Sequence, residues 1–234
     1  MIDLSAKLYE REKSIMLKSE STVWISGAYR SSSLLKPVRA YPDQKPMTPE
    51  SKRFADITSR YMEGEPVSDD EIPRVFYGEY KDTWIKSLPD FFSCQTFLTL
   101  SERFADVLCN FGLEQDLRPV TLLQGDRETP IQGGPFYILV ISARKRAFLP
   151  THSNLKSFSN RTGPSGDYWS GRLSVDDEDT ALSPDALEGA DLWCDPLVTR
   201  VFFLSNRLLM ALREAKVTRT LGHRRCRIIE SEVA

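Results

Sequence analysis

The sequence predicts an α+β fold with mixed or antiparallel sheets and two related strand–helix–strand units. Residues 97–108 and 201–212 align without gaps, each as an apolar strand, a serine and an amphipathic helix. Four aligned pairs are identical: Leu100/Leu204, Ser101/Ser205, Arg103/Arg207 and Leu108/Leu212. Residues 136–141 are apolar throughout, which is typical of a central strand buried on both faces. With 234 residues, 41% of them hydrophobic, the chain can form a real core.

The first part of the chain predicts few regular elements. Residues 1–20 carry a weak helical pattern, and residues 23–25 predict a strand. Six prolines within residues 37–73 make most of that stretch irregular. One helix is nevertheless marked there, because Thr48 is a natural N-cap and Pro49 suits the first helical position.

The rest of the chain contains the two units and the segments around them. A strand is predicted at residues 74–77, and a hairpin with strands at residues 119–123 and 136–141 follows the first helix. Residues 150–190 predict a long irregular loop, and loops of this length are often binding loops. A last strand is predicted at residues 226–229.

These elements divide the chain into two parts. Residues 1–80 are expected to form an N-terminal extension that packs on the main body. Residues 81–234 are expected to form the α+β domain.

Composition limits the classes of function. A net charge of −2 argues against a nucleic-acid binder, which needs a basic excess. The four cysteines form no C-x-x-C motif and only two histidines exist, so we expect reduced thiols, no metal site and no cofactor. The N-terminus lacks the apolar segment of a signal peptide, and the longest apolar run is too short to cross a bilayer. A cytoplasmic protein without membrane attachment is therefore expected.

The repeated serines predict helix N-caps, and the repeated arginines need partners. Arg103 and Arg207 lie in the first helical turn, where the helix dipole disfavours a cation. Each unit is preceded by an Asp–apolar–aromatic triplet that begins at Asp90 or Asp191. We therefore expect each arginine to pair with the aspartate before its own unit.

An acidic stretch follows the first glycine-rich turns of the long loop. Residues 173–199 contain no lysine or arginine. Their eight acidic residues are Asp176, Asp177, Glu178, Asp179, Asp185, Glu188, Asp191 and Asp195. One interpretation is a solvated loop kept soluble by charge. The other is a surface that attracts a basic partner, since complementary charge speeds association and sets specificity.

Two aromatic residues, Tyr168 and Trp169, lie in the same loop beside glycines. Exposed aromatic side chains are good interface anchors. The alternative is a small apolar cluster that holds the loop to the body. Trp193 is expected in the core.

Catalytic signatures are weak. His152 lies in a loop and His223 beside a strand, and neither has a nucleophile motif around it. Residues 132–135 contain two glycines but lack the lysine and the helix of a phosphate-binding loop. A hydrolase or transferase that uses His152 or His223 remains an alternative. So does a non-catalytic structural adaptor.

The second unit resembles the C-terminal signature of a family of bacterial immunity proteins from polymorphic toxin systems, formerly described as a domain of unknown function. The residues that match its first part are Leu192, Trp193, Asp195 and Pro196. Those that match its second part are Ser205, Asn206, Arg207 and Leu208. The similarity covers about residues 85–230 and includes Ser101 and Arg103 of the first unit.

This resemblance implies a cytoplasmic antidote without enzymatic activity, which binds a cognate toxin or secreted effector and neutralises it. Such families pair with several classes of toxin, and only the acidic stretch points to a basic nuclease domain. The candidate partner-binding residues are Tyr168, Trp169, Asp176, Asp177, Glu178, Asp179, Asp185 and Glu188. The remaining motif residues are expected to be structural.

Overall fold

The computed structural model describes residues 21–41, 48–163, 166–171 and 175–230. Within these ranges the α-helices are α1 (Pro49–Glu63), α2 (Glu102–Cys109) and α3 (Asn206–Glu214). The strands are β1 (Val23–Ser26), β2 (Leu35–Lys36), β3 (Val38–Arg39), β4 (Val75–Gly78), β5 (Phe91–Cys94), β6 (Phe97–Ser101), β7 (Leu117–Leu123), β8 (Phe136–Leu139), β9 (Phe158–Gly163), β10 (Gly166–Gly171), β11 (Ala181–Leu182), β12 (Leu192–Asp195), β13 (Val198–Ser205), β14 (His223–Arg225) and β15 (Arg227–Ile228). These elements confirm the predicted α+β class. The helical pattern of residues 1–20 lies outside the described residues.

The first unit is a hairpin followed directly by a helix. Strands β5 and β6 pair antiparallel, with Phe91 opposite Leu100, and α2 begins where β6 ends. Strand β8 pairs antiparallel with the other edge of β6, and β7 pairs antiparallel with β8. The sheet has the order β2-β5-β6-β8-β7-β4-β3. Strand β8 is therefore central, as its uninterrupted apolar sequence predicts.

The second unit repeats this arrangement with a strand taken from the start of the described chain. Strands β12 and β13 form the hairpin, with Leu192 opposite Leu204, and α3 follows β13. Strand β1 pairs antiparallel with the other edge of β13, and β14 pairs antiparallel with β1. Ser205 lies opposite Val23, just as Ser101 of the first unit lies opposite Phe136. Strand β1 thus has the place in the second unit that β8 has in the first.

The segment that the sequence sets apart as an N-terminal extension contributes strands to the sheets of both units. It supplies β1 to the sheet of the second unit, and it supplies β2, β3 and β4 to the sheet of the first unit. Helix α1 starts as predicted, with the Thr48 side chain accepting a hydrogen bond from the Ser51 amide, and it ends at Gly64 in the left-handed conformation. Its buried Tyr61 donates a hydrogen bond of 2.6 Å from its hydroxyl to the Leu139 carbonyl. The described part of this segment is therefore integral to the core.

The two units share one hydrophobic core beneath α2 and α3. The first unit contributes Phe91, Leu100, Phe104 and Leu108, and the second contributes Leu192, Leu204, Leu208 and Leu212. Each of these side chains is at most 2% exposed. Burial of one large apolar side chain contributes about 1.5–3 kcal/mol to stability. The shared core therefore holds the two units together.

Residues 150–190 correct a prediction, because much of this stretch is regular structure. Strands β9 and β10 form an antiparallel hairpin, and β10 also pairs parallel with β13. Strand β11 pairs parallel with β15. Most residues of β9 and β10 are polar or glycine, so the apolar alternation that marks a strand is weak there.

The cysteines are free thiols in the structure. Cys94, Cys194 and Cys226 are buried, whereas Cys109 is exposed. Burial raises the pKa of the Cys94 and Cys194 thiols to about 12, so both stay protonated at neutral pH. Over the described residues, no helix has the length and apolarity needed to cross a bilayer.

Candidate functional site

The first motif residues form a polar cluster at the start of α2. The Ser101 hydroxyl caps the helix by accepting a hydrogen bond from the Phe104 amide. It also donates to Asp90 Oδ1 at 2.7 Å. Arg103 lies 3.5 Å from Asp90 Oδ2, which is the pair that the sequence predicts. The arginine is largely solvent-exposed, so this ion pair is a weak one.

The second unit contains the same cluster in a tighter form. Ser205 caps α3 by accepting from the Leu208 amide at 3.2 Å, and its hydroxyl donates to Asp191. Arg207 donates to both carboxylate oxygens of Asp191, and its Nε lies 2.5 Å from Oδ1. The Asp191 side chain is only 7% exposed, so the bidentate pair is partly shielded from water. The predicted pairing is confirmed here as well.

Each repeated arginine also reaches the far end of the other unit's helix. The Arg103 guanidinium donates to the Ala215 carbonyl at the end of α3 at 2.8 Å. The Arg207 guanidinium lies 5.6 Å from the centre of the Phe111 ring, just past the end of α2. Positions 111 and 215 are equivalent in the ungapped alignment. The arginines therefore join the two helices in a nearly symmetric way, which gives them a structural role.

The other residues of the family signature are also part of the scaffold. Trp193 is fully buried and stacks on Phe203 with ring centres 5.5 Å apart. The Lys145 ammonium lies 3.7 Å from the centre of the Trp193 ring. Burial lowers the pKa of Lys145, while the nearby Asp191 acts in the opposite direction.

Asp195 binds the backbone just before residues 150–190. Its carboxylate accepts hydrogen bonds from the amides of Ala147 and Phe148, both at 2.7 Å, and from the Leu197 amide at 2.8 Å. Burial raises the pKa of Asp195, and these three hydrogen bonds oppose that shift. Pro196 occupies the exposed turn between β12 and β13. None of these contacts suggests a reactive group.

The acidic stretch contacts the basic C-terminal strands of the same chain. Asp177 accepts a hydrogen bond from the Arg225 amide at 2.8 Å, and Glu178 forms an ion pair with the Arg225 guanidinium. Arg227 donates to the Glu178 carbonyl. Part of the negative charge is therefore compensated within the chain.

The remaining acidic candidates differ in their exposure. Asp179 is half-buried and accepts hydrogen bonds from Asn154, Ser157 and the Asp176 amide, so it stabilises the loop. The exposed candidates are Asp176, Asp177, Glu178, Asp185 and Glu188. These five residues are the acidic candidates that solvent, or a partner, can reach.

The two aromatic candidates lie on opposite faces of β10. Trp169 packs against the buried cluster that contains Phe158 and Trp193. Tyr168 lies opposite Arg161 of β9 and lines a small cavity on the other face. The structure therefore places Trp169 in the apolar cluster that was the alternative interpretation, and leaves Tyr168 at a surface.

The cavity beside Tyr168 is rich in arginine, which sequence reasoning missed. It has a volume of about 220 Å³ and is lined by Arg161, Tyr168, Ser170, Thr199 and Arg200. Arg30 reaches Ser170 from the neighbouring turn. These arginines come from three distant segments, and no local spacing in the sequence connects them.

A second, larger groove of about 990 Å³ lies beside α1 and β4. Its wall includes the aromatic Tyr41 and Phe54, together with Glu50, Arg53 and Asp70. Acidic and basic side chains both line it, so its charge defines no class of ligand.

Neither histidine takes part in a catalytic arrangement in the described residues. The His223 ring contacts the Arg213 guanidinium at 2.7 Å and the edge of Trp24. The His152 ring contacts the Thr151 hydroxyl. Neither contact supplies a nucleophile together with an orienting carboxylate. In the same part of the chain, no group of three His, Cys, Asp or Glu side chains is arranged to hold a metal ion.

Comparison with known proteins adds no family assignment. No protein-family model matches the chain, and no curated protein sequence matches it significantly.

Proposed function

We propose that this chain is an immunity protein that binds a cognate bacterial toxin or effector in the cytoplasm and neutralises it. The observation that supports this function best is that the signature residues bind one another. Asp191, Ser205 and Arg207 form a closed hydrogen-bonded cluster, and Trp193 and Asp195 are buried. Motif residues that bind one another stabilise the fold. We therefore expect other residues, on the protein surface, to bind the toxin.

The surface that we assign to the toxin is the exposed acidic set Asp176, Asp177, Glu178, Asp185 and Glu188. These side chains follow the β9–β10 hairpin along the chain, and the contacts of Asp177 and Glu178 with Arg225 hold part of the set in place. An ordered surface loses less entropy on binding than a flexible loop would. Negative charge of this kind suits a basic partner such as a nuclease domain.

The enzyme and adaptor alternatives make different predictions. A hydrolase or transferase that depends on His152 or His223 loses its activity when both histidines are replaced, whereas an immunity protein keeps its protection. An adaptor without a toxin partner protects no cell from any toxin.

The experiment that tests the function is protection of cells that express a toxin gene encoded beside this one. Co-expression of the chain should restore growth, and the two purified proteins should form a complex. Growth arrest despite soluble, folded chain would contradict the proposal, as would turnover of a substrate by the chain alone.

A matched pair of charge variants tests the acidic surface in that complex. Asp176→Asn, Asp177→Asn and Glu178→Gln together remove three exposed charges. The control removes three exposed charges elsewhere, with Asp82→Asn, Glu128→Gln and Glu214→Gln. We expect the first variant to bind the toxin with a slower association rate and a weaker salt dependence, and the control to bind as the parent does. Equal effects of the two variants would reject this surface.

A further inference from the structure

Three guanidinium groups meet around the cavity beside Tyr168. Arg161 lies on β9, Arg200 lies on β13, and Arg30 ends the short helical turn that follows β1. Arg161 and Arg200 line the cavity directly. Arg30 Nη1 lies 3.4 Å from Ser170 Oγ and donates to the Gly171 carbonyl at 2.6 Å.

The pairing of the strands explains why these residues meet. Tyr168 lies opposite Arg161, and Ser170 lies opposite Thr199. Alternate residues of a strand share one face, so Tyr168 and Ser170 face the cavity together while Trp169 faces the core. Arg200 adopts a left-handed conformation with φ of 64°, which interrupts the regular alternation of β13.

The positive charge of this cluster lacks compensation in the described residues. Arg30, Arg161 and Arg200 take part in none of the ion pairs between described residues. The nearest acidic residue of the hairpin, Asp167, alternates to the other face of β10, where it accepts a hydrogen bond from Thr162. Burial lowers the pKa of Arg30, and repulsion from Arg200 and Arg161 lowers it further.

We propose that this cavity, with Arg30, Arg161 and Arg200 around it, binds the phosphoryl group of a small phosphorylated molecule. Three cations match the charge of a phosphate monoester or diphosphate. A single carboxylate has one charge and two oxygens, so it would leave most of the repulsion in place. The planar fork of arginine also binds phosphate oxygens in pairs.

The size and the polar lining of the cavity suit this ligand. Its volume of about 220 Å³ is several times the roughly 30 Å³ of a water molecule in the liquid, but it is below that of pockets that enclose whole drug-sized ligands. Ser170 Oγ accepts from Arg30, so its own proton is available to a phosphate oxygen. Tyr168 also lines the cavity, and its side chain carries a hydroxyl that can donate.

A small ligand is favoured over a nucleic acid. A polymer needs a basic track that neutralises successive phosphates, and the chain as a whole has a net charge of −2. The arginine cluster is a single compact site. This proposal does not depend on the toxin-binding function, and either can fail alone.

The test is calorimetric titration of the full chain at low salt with inorganic phosphate, pyrophosphate, acetate and a short single-stranded oligonucleotide. We expect phosphate and pyrophosphate to bind, with pyrophosphate the tighter of the two, and acetate to bind at least tenfold more weakly. Arg161→Gln combined with Arg200→Gln should weaken pyrophosphate binding at least tenfold. Arg219→Gln, at an exposed arginine away from the cavity, is the matched control and should bind as the parent does.

Several outcomes would overturn the proposal. These are the absence of phosphate and pyrophosphate binding at millimolar concentration, equal affinity for acetate, or equal losses in the double variant and the control. The same arginines could also bind the oligonucleotide more tightly than pyrophosphate. The ligand would then be a nucleic acid, and the proposal of a small phosphorylated molecule would be wrong. Thermal unfolding of each variant without ligand checks that a lost affinity does not reflect a lost fold.

Discussion

Asp191 connects two residues at the start of α3, the cap Ser205 and the arginine of the first turn, Arg207. Its carboxylate accepts hydrogen bonds from Ser205 and Arg207, and its backbone carbonyl accepts from the Ser205 amide at 2.8 Å. Asp90 makes the equivalent contacts in the first unit, but its side chain is 24% exposed and its arginine is farther away. The same three residue types therefore produce a strong cluster in one unit and a weak one in the other.

We expect Asp191→Asn to lower the free energy of unfolding by about 1–3 kcal/mol, because it weakens hydrogen bonds to a charged and buried acceptor. The matched variant Asp90→Asn should have a smaller effect, since its ion pair is exposed. Urea denaturation of the parent and both variants measures the difference. An equal or larger loss in Asp90→Asn would contradict this ranking.

His223 should make the stability of the protein depend on pH. Burial lowers its pKa below the usual 6.5, and the adjacent Arg213 lowers it further. Well above about pH 6.5 the imidazole is neutral in both the folded and the unfolded chain, so it does not change the stability. As the pH falls, the unfolded chain takes up the proton first, and the folded state loses stability.

His223→Gln should therefore reduce the loss of thermal stability between about pH 7 and about pH 5. The measurement is the unfolding midpoint of the parent and the variant across this range. Identical slopes for the two proteins would show that His223 does not contribute.

Among the elements, β1 joins two strands that are far from it in the sequence. It lies between β13 and β14, and both neighbours use its edges for hydrogen bonding. Without β1, the hairpin of the second unit would lose its pairing partner and β14 would have no sheet to join.

Ile25→Ala should lower the free energy of unfolding by about 2–5 kcal/mol, because Ile25 is 2% exposed in the middle of β1. Leu35→Ala is the control, since Leu35 lies on the edge strand β2 and is half exposed. Its effect should stay within about 0.5 kcal/mol. Chemical denaturation compares them, and similar losses at both positions would count against a central role for β1.

The sequence predicts elements that depend on local chemistry better than those that depend on pairing. Thr48 and Ser205 mark helix starts because a cap is a contact between near neighbours. The β9–β10 hairpin was missed because polar strands are stabilised by partner strands and not by their own pattern. The arginine cavity could not be predicted for the same reason, since the register of β9, β10 and β13 brings Arg161 and Arg200 together.

For the molecule as a whole, the central fact is that one core serves both units. Leu108 of α2 and Leu212 of α3 belong to the same buried cluster. Arg103 and Arg207 add contacts between the helices at both ends. A disturbance in one unit should therefore reach the other.

We expect the protein to unfold in a single transition, with amides of β6 and β13 exchanging hydrogen at the same free energy of opening. Leu108→Ala should accelerate exchange in both strands, although Leu108 belongs to the first unit. Hydrogen exchange followed by mass spectrometry resolves the two strands. Faster exchange in β6 alone would mean that the units are separate cooperative bodies.

The position of β1 also constrains how the chain folds during its synthesis. Residues 90–139, which form the hairpin, helix and inner strands of the first unit, leave the ribosome one after another and can assemble at once. Strand β1 emerges earlier than any of them, yet its partner β13 is translated only after all of them. The nascent chain must therefore keep an apolar strand unpaired until β13 has been translated, and a chaperone would act in that interval.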